Sequence, residues 1–264
     1  MKDTGKRETI RKYAAAEGDE LLLARILDKY SACQSRNYIQ SSRFLSLHER
    51  LTAERAIAGE KLEPFVFWGG YEGAERRVLT FYPDYMDVES ARNECGISVI
   101  RAHYRAGAVD HRDMLGSLMN IGITRECTGD LLIHDEFCDL ICLDESAEFI
   151  MNNLDRAGRE ALRLERLHTP PAAAEEKAKI IKDTVASERL DAIVSSGCSI
   201  SRGNAANLIS AGRVKLNDME CTRQDRLVTE GDVISVRGYG KMILQTIGGL
   251  SRKGRRIIEI KKFL

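Results

Sequence analysis

Apolar positions change period several times along the chain, and each change marks an element. Leu22, Leu23, Ile26, Leu27 and Tyr30 recur at three- and four-residue intervals, and Phe44, Leu47 and Leu51 continue the habit after the polar break at Ser35-Arg36-Asn37. Residues 1–62 are therefore expected to form a helical domain. After Pro64 the pattern turns to short aromatic and β-branched runs. Phe65-Val66-Phe67-Trp68, closed by Gly69-Gly70, and Arg77-Val78-Leu79-Thr80-Phe81 read as strands, and residues 97–104 as another. Residues 110–121 fit a helix with Met114, Leu115, Leu118 and Met119 inward. Residues 130–133 and 137–143 then fit two strands, 144–157 a helix carrying Phe149, Ile150 and Leu154, and 161–167 a last strand. The order β-α-β-β-α-β within 63–168 predicts a ferredoxin-like, RNA-recognition-like middle domain with helices on one face of its sheet.

His168-Thr169-Pro170-Pro171-Ala172-Ala173-Ala174 reads as a linker, because consecutive prolines stop a helix and hold the chain extended. Residues 175–186 are expected to form a lead-in helix, so that 169–186 connects the middle domain to a final domain at 187–264. In that domain Leu190, Ile193 and Val194 share one face of a short helix. Ser201 is placed to N-cap a second helix, in which Ala205, Leu208 and Ile209 point inward. Gly212 fits a left-handed C-cap, Val214 and Leu216 alternate with Arg213 and Lys215, Asn217-Asp218 supplies a turn, and Glu230-Gly231-Asp232 precedes Val233-Ile234-Ser235-Val236. A helix pair followed by a small β-sheet results, and the chain as a whole falls in the α+β class.

Charge changes the picture more than composition does. The chain has 264 residues, 30% charged and 43% hydrophobic, which is ordinary for folded domains and argues against wholesale disorder. No apolar run approaches the length needed to span a bilayer, and the N-terminus has no apolar signal core, so a cytoplasmic protein without membrane contact is expected. The formal net charge of zero conceals an asymmetry. From Arg189 onward there are 14 Lys+Arg against 7 Asp+Glu, leaving 26 basic and 33 acidic residues of the chain's 40 and 40 for the first 188. A basic module joined to an acidic one is expected where one part meets a polyanion.

The candidate surface for that contact is the outer row of the second helix, Arg202, Ala206, Ser210 and Arg213, with Gly203 and Asn207 beside it. Small residues admit a nucleic-acid backbone closely, guanidinium forks bind phosphate oxygens, and Asn amides bond sugar or base edges. The tail adds Arg237, Lys241, Arg252, Lys253, Arg255, Arg256, Lys261 and Lys262 against the single acid Glu259. Pairing of 242–247 with 257–260 as strands would make 251–256 a cationic finger. The expected RNA-binding set is Arg189, Ser201, Arg202, Asn204, Asn207, Ser210, Arg213, Lys215, Arg237, Lys241, Arg252, Lys253, Arg255 and Arg256. Arg76 and Arg77 are further candidates for RNA contact in the middle domain.

Arg189-Leu190-Asp191, Ser201-Arg202, Leu208-Ile209, Gly212-Arg213-Val214-Lys215-Leu216-Asn217 and Gly231-Asp232-Val233-Ile234 follow the order and spacing of the S-four domain, which they resemble. Asp218 stands where that pattern usually has Gly; Asp also tolerates positive φ. Phe67 to Arg77, His111 to Leu118 through Gly129-Asp130, and the tail segments Ser235 to Lys241 and Gly249 to Arg256 are similar to the YlmH family of bacterial S-four proteins. The resemblance covers most of the chain and is weakest over the first 35 residues. It implies a helical N-terminal region, a middle domain of RNA-recognition-like fold and a C-terminal S-four domain. It further implies association with ribosomal RNA of the large subunit carrying obstructed peptidyl-tRNA, in ribosome-associated quality control. Some relatives are linked to cell division.

Catalytic readings find little support. The only Arg-Leu-Asp, at Arg189, lies inside the expected binding domain, with no pseudouridine synthase motif around it. Tyrosyl-tRNA synthetase signatures are absent, and Gly69-Gly70-x-x-Gly73 is a weak match to a methyltransferase loop. His103, Asp110, His111 and Asp113 form a cluster without a nucleophile. Five histidines lack metal spacing, and seven scattered cysteines lack any Cys-x-x-Cys pair; Cys138 and Cys142 sit among apolar residues as core positions. The expectation is a noncatalytic RNA binder without cofactor or metal, single-chain when free. An RNA-modifying enzyme using the middle domain and a cell-division adaptor acting through protein contacts are the alternatives.

Overall fold

The structure is a computed structural model that describes residues 3–172 and 178–263. It divides into two compact units, Met1–Ala174 and Glu175–Leu264.

The first unit has two layers of its own. Helices α1 (Asp3–Tyr13), α2 (Asp19–Arg36) and α3 (Leu47–Glu60) accompany a three-stranded antiparallel sheet of order β1 (Gln40–Ser41), β3 (Val78–Phe81), β2 (Phe65–Trp68). Ile26, Leu27, Cys33, Ala53, Ile57, Leu79 and Phe81 fill the core between them. Helix α3 begins with a capping box in which Ser46 Oγ accepts from the Glu49 N–H while Glu49 Oε2 accepts from the Ser46 N–H. Two expectations are corrected here. Phe44 precedes this helix rather than riding on it, and β2 and β3 pair with β1 instead of joining the middle sheet. All four residues of β3 are buried, because Leu79 and Phe81 face the helices while Val78 packs with Phe44 against Val99, Ile141 and Leu143 of the next sheet.

After α4 (Val88–Asn93), that next sheet contains β4 (Ile97–His103), β5 (Thr128–Ile133), β6 (Phe137–Leu143) and, following the short hairpin of β7 (Arg156–Ala157) and β8 (Glu160–Ala161), β9 (Arg163–Leu167). Its order is β5-β6-β4-β9 and every pairing is antiparallel. With α5 (His111–Asn120) after β4 and α6 (Asp144–Asn153) after β6, this is the expected ferredoxin-like arrangement. Met114, Leu118, Ala147 and Ile150 pack on one sheet face against Ile100, Ala102 and Leu140. Helix α6 stops four residues short of expectation, since Arg156 to Ala161 turn through Gly158 at φ 59° into the hairpin. Of the three apolar residues at helical spacing here, Ile150 and Leu154 are buried and Phe149 is 46% exposed.

The second unit is a six-stranded antiparallel sheet of order β10-β15-β14-β13-β11-β12, covered on one face by two helices. Its strands are β10 (Ala178–Val185), β11 (Val214–Leu216), β12 (Met219–Glu220), β13 (Val233–Val236), β14 (Gly240–Leu250) and β15 (Arg256–Phe263); its helices are α7 (Leu190–Cys198) and α8 (Arg202–Ser210). The expected lead-in helix is corrected: residues 178–185 are a strand paired with β15 at eight consecutive positions, and 175–177 lie outside the described residues. Ile180, Ile181, Thr184 and Val185 are β-branched and find a partner edge in β15. Between β11 and β12, Asn217 and Asp218 have φ of 52° and 67°, the two positive values a tight hairpin turn requires. Asp218 thus takes the conformation for which glycine is the usual choice. No helix among the described residues is long and apolar enough to cross a membrane.

Candidate nucleic-acid interface

Helix α8 is held at both ends by local chemistry. Ser201 Oγ accepts from the Asn204 N–H at 3.2 Å. At the other end the Gly212 N–H reaches the Ile209 carbonyl and the Arg213 N–H reaches the Leu208 carbonyl, with Gly212 at φ 67°. This double closure turns the chain sharply into β11. Ala205 and Ile209 are buried and Leu208 half-buried, while Arg202, Asn204, Asn207, Ser210 and Arg213 are exposed and Ala206 is half-buried. The expected outer row is therefore the surface of the helix. The Arg237 N–H donates to the Arg213 carbonyl at 2.9 Å, which brings a second arginine to the end of that row.

Arg189 and Arg202, both expected to contact RNA, are bonded to one carboxylate. Asp191, in the first turn of α7 and 6% exposed, accepts from Arg189 Nε and Nη2 at 3.2 Å each and from Arg202 Nη2 at 2.8 Å. Burial pushes the Asp191 carboxyl up, yet the bonds from Arg189 and Arg202 outweigh it and leave the group below the usual carboxylate range. Arg202 stays half exposed, so its remaining N–H groups face solvent in a fixed orientation. Ser201 also has a structural duty, since its hydroxyl is taken by the cap.

The expected finger forms. Strands β14 and β15 are joined by a turn in which the Ser251 N–H reaches the Arg255 carbonyl at 2.7 Å and Gly254 takes φ 70°. Arg252 and Lys253 lie exposed at its tip. Arg255 and Arg256 are partly committed: Arg255 donates to the Thr184 carbonyl, and Arg256 Nε lies 3.0 Å from Glu188 Oε1. Lys215 and Lys241 belong to neither group. Met242 turns toward the helices, so its neighbour Lys241 falls on the other sheet face, as does Lys215, which the strand register aligns with it through Ser235. Phe263 lies beside Lys241 on this outer face, in alternation with the buried Ile258 and Ile260.

In the first unit, Arg76 and Arg77 knit a loop together. Arg76 donates to the carbonyls of Thr128, Phe44 and Arg125, and Arg77 Nε to the Ala74 carbonyl at 2.7 Å, with burial lowering the Arg77 pKa. Asp130 fixes the same loop, accepting from Tyr71 Oη and from the Glu75 and Arg76 N–H groups. Nor is the ferredoxin-like sheet a bare platform on its outer face. Phe44, Val78 and Trp68 cover Val99, Ile141 and Leu143 at one end. Farther along, the Phe137 ring lies 4.1 Å from the Arg101 guanidinium and 4.3 Å from the stacked His134 ring, so both its faces are occupied. Arg101 is fixed there by two bonds to the fully buried Asp139, which also accepts from the Ala172 N–H at 2.7 Å.

The supposed acid/base cluster dissolves into structural roles. Asp110 and Asp113 form the capping box of α5, and His103 lies 2.8 Å from Glu165. Burial lowers the His111 pKa, reinforced by Arg125. Cys138 and Cys142 are fully buried; burial raises the first thiol and pushes the second up to about 12, far from a reactive thiolate. Among the described residues no group of three or more His, Cys, Asp or Glu is placed to hold a metal ion.

A capped helix pair with a cationic outer row, backed by a small sheet with a basic hairpin, defines an RNA-binding protein of the S-four type. Residues 188–234 match the S4 (S-four) domain, and residues 92–170 match the domain described as "Putative RNA-binding domain in YlmH". Over 205 residues the chain is 34% identical to "Ribosome-associated protein quality control protein P2" of Bacillus subtilis (strain 168), spanning 76% of this chain and 78% of that protein. The chain belongs to the YlmH family. Among solved structures, "Cell division protein ylmH from Streptococcus pneumoniae" superposes with a TM-score of 0.50 at 18% identity, covering 58% of this chain and 93% of that one, a likeness of fold.

Proposed function

We propose that the protein is a noncatalytic binder of ribosomal RNA and tRNA on the large ribosomal subunit, acting in the cytoplasm in quality control of stalled peptidyl-tRNA complexes. The observation that carries the reading is the α7–α8 pair, with Arg202 oriented by Asp191 and with Arg213 and Arg237 at the end of its outer row. Such a surface binds phosphate by charge and geometry and needs no cofactor. The exposed Arg252 and Lys253 extend the same electrostatic contact. A relative named for ribosome-associated quality control, 34% identical to this chain, supports the choice of the ribosome as the partner.

Sedimentation with purified large subunits tests this directly. The wild type should co-sediment at low salt and dissociate steeply as salt rises, because each neutralised phosphate releases counterions. Arg202→Ala/Arg213→Ala should weaken binding and flatten the salt dependence; equal affinity with an unchanged slope would refute the assignment. Mass spectrometry of rRNA and tRNA from a deletion strain should show every modification retained, whereas a lost modification would make the protein an enzyme.

A further inference from the structure

Helix α2 turns its apolar residues inward and a basic row outward. Leu23, Ile26, Leu27 and Cys33 are buried. At 100° per residue, Arg25, Lys29, Ala32 and Arg36 fall within about 60° of one another on a flank away from those four, a row about 16 Å long with a small residue in its middle. Arg25 and Arg36 are exposed and Lys29 is half-buried, and among the described residues none of the three pairs with a carboxylate. Asn37, at φ 56°, closes the helix, and Tyr38 follows directly at the end of the row. Arg36 Nη1 donates to Tyr38 Oη at 3.2 Å, and that bond, with Gln40 and Lys29 nearby, holds the phenol below its usual pKa. Tyr85 Oη donates to the Asn37 carbonyl at 3.3 Å, which brings a second ring to the same place. Tyr38 is 43% exposed and Tyr85 70%.

Basic residues that track a backbone and aromatic rings that receive unstacked bases are the two elements of single-stranded nucleic-acid binding. Tyr85 is open to such a base, whereas Phe137 has both its faces occupied. Most acids nearby are committed elsewhere. Asp28 pairs with Lys6, and Asp87 caps α4. Asp84, close to Cys33, is the exception, one acid against three cations. Arg25 and Lys29 also line, with Ser41 and Ser42, a cleft of about 840 Å³. The carboxylates of that cleft are occupied too: Glu126 and Glu145 flank Arg43, Glu49 closes the capping box of α3, and Asp144 is held by Ser98 and Arg166. An acidic polypeptide would use the cations and leave both rings idle, so a nucleic acid fits the surface better.

We propose that this flank of α2, with Tyr38 and Tyr85 at its end, is an RNA-binding surface of the first unit. It takes a single-stranded RNA segment whose phosphates lie along Arg25, Lys29 and Arg36 and whose bases stack on the two tyrosines. The surface is separate from the α8 row and from the basic hairpin, and it stands on its own observations. Each unit of the protein then has an RNA contact of its own.

The test uses full-length protein carrying Arg202→Ala/Arg213→Ala, which weakens the α8 surface, and fluorescence anisotropy of a labelled oligouridylate across a potassium chloride series. Salt-sensitive binding should persist in this parent. Adding Arg25→Gln/Lys29→Gln should reduce the slope of log affinity against log salt by about 1.4, two phosphate contacts' worth for a single strand. Adding Tyr85→Leu instead keeps an apolar side chain but removes the stacking surface, and should weaken binding by about fivefold or more at an unchanged slope, while Tyr85→Phe should bind as the parent does. Thermal melts of each variant separate binding from folding. If the α2 pair and Tyr85→Leu bind with the parent's affinity and slope, the α2 surface is overturned, and the α8 reading, judged by large-subunit sedimentation of Arg202→Ala/Arg213→Ala alone, is untouched. Displacement of the oligouridylate by polyglutamate as effective as by unlabelled oligouridylate of equal charge would also overturn it, because the row would then be a site for acidic polypeptides.

Discussion

Asp191 shows how one buried residue organises a surface made of others. Its carboxylate lies in the α7 core layer, yet its bonds run outward to Arg189 and Arg202. Because its pKa is lower folded than unfolded, the stability it contributes is present above the ordinary carboxylate range and disappears as pH falls through its depressed folded value. Asp191→Asn should therefore cost about 1–3 kcal/mol at neutral pH, and the gap to wild type should close at pH values below about 4. Urea-dependent hydrogen exchange at the α7 amides measures both. Sequence disclosed the three residues but not their partnership. An Arg-Leu-Asp triplet looks the same whether its carboxylate faces solvent or gathers two guanidiniums, and the distinction depends on which turn of α7 lies beside the start of α8.

At the scale of elements, close approach explains what propensity does not. Gly197, near the end of α7, has no room for a Cβ, which would lie 2.3 Å from Met242 Sδ of β14. Met242 is itself fully buried among Ile258, Ile260 and the helices. Gly197→Ala should thus destabilise the second unit by about 1–3 kcal/mol despite improving helix propensity, as read by loss of its circular dichroism on heating. Elements with a strong internal period were legible before any coordinates: α5, β6, the α7–α8 pair, and the β14–β15 hairpin. The failures share a cause. Strand β10 mixes two Lys and one Ala with four β-branched residues, and its identity is settled by a partner some 80 positions later in the chain, a pairing that local spacing does not encode. Strands β2 and β3 were recognised as strands but assigned to the wrong sheet, since the sequence order of elements says nothing of which layer a short hairpin joins.

At the scale of the whole molecule, that same pairing sets where the second unit begins. Its outermost strand starts at Ala178, within a unit that runs from Glu175, so a boundary drawn after 186 severs it. A fragment of residues 175–264 should fold with a cooperative thermal transition, whereas 187–264, deprived of β10 and of buried Val185, should melt at lower temperature or aggregate; circular dichroism and light scattering distinguish the outcomes. The candidate site was legible to a similar degree. Its chemistry, basic and small on a helix and basic again in the tail, could be read from residue types. Its division between two sheet faces could not, because that depends on parity along β11, β14 and β15 relative to a core that only the folded sheet defines.

Strand β10 also ends the sheet, and among the described residues no strand lies beside its far side. Such an edge invites a second copy of the chain to continue the ladder. Here the exposed Lys179, Lys182 and Asp183 stand along it, so a neighbouring strand would have to bury charge in order to dock. The charges along β10 thereby disfavour the edge-to-edge pairing that an uncharged edge would invite.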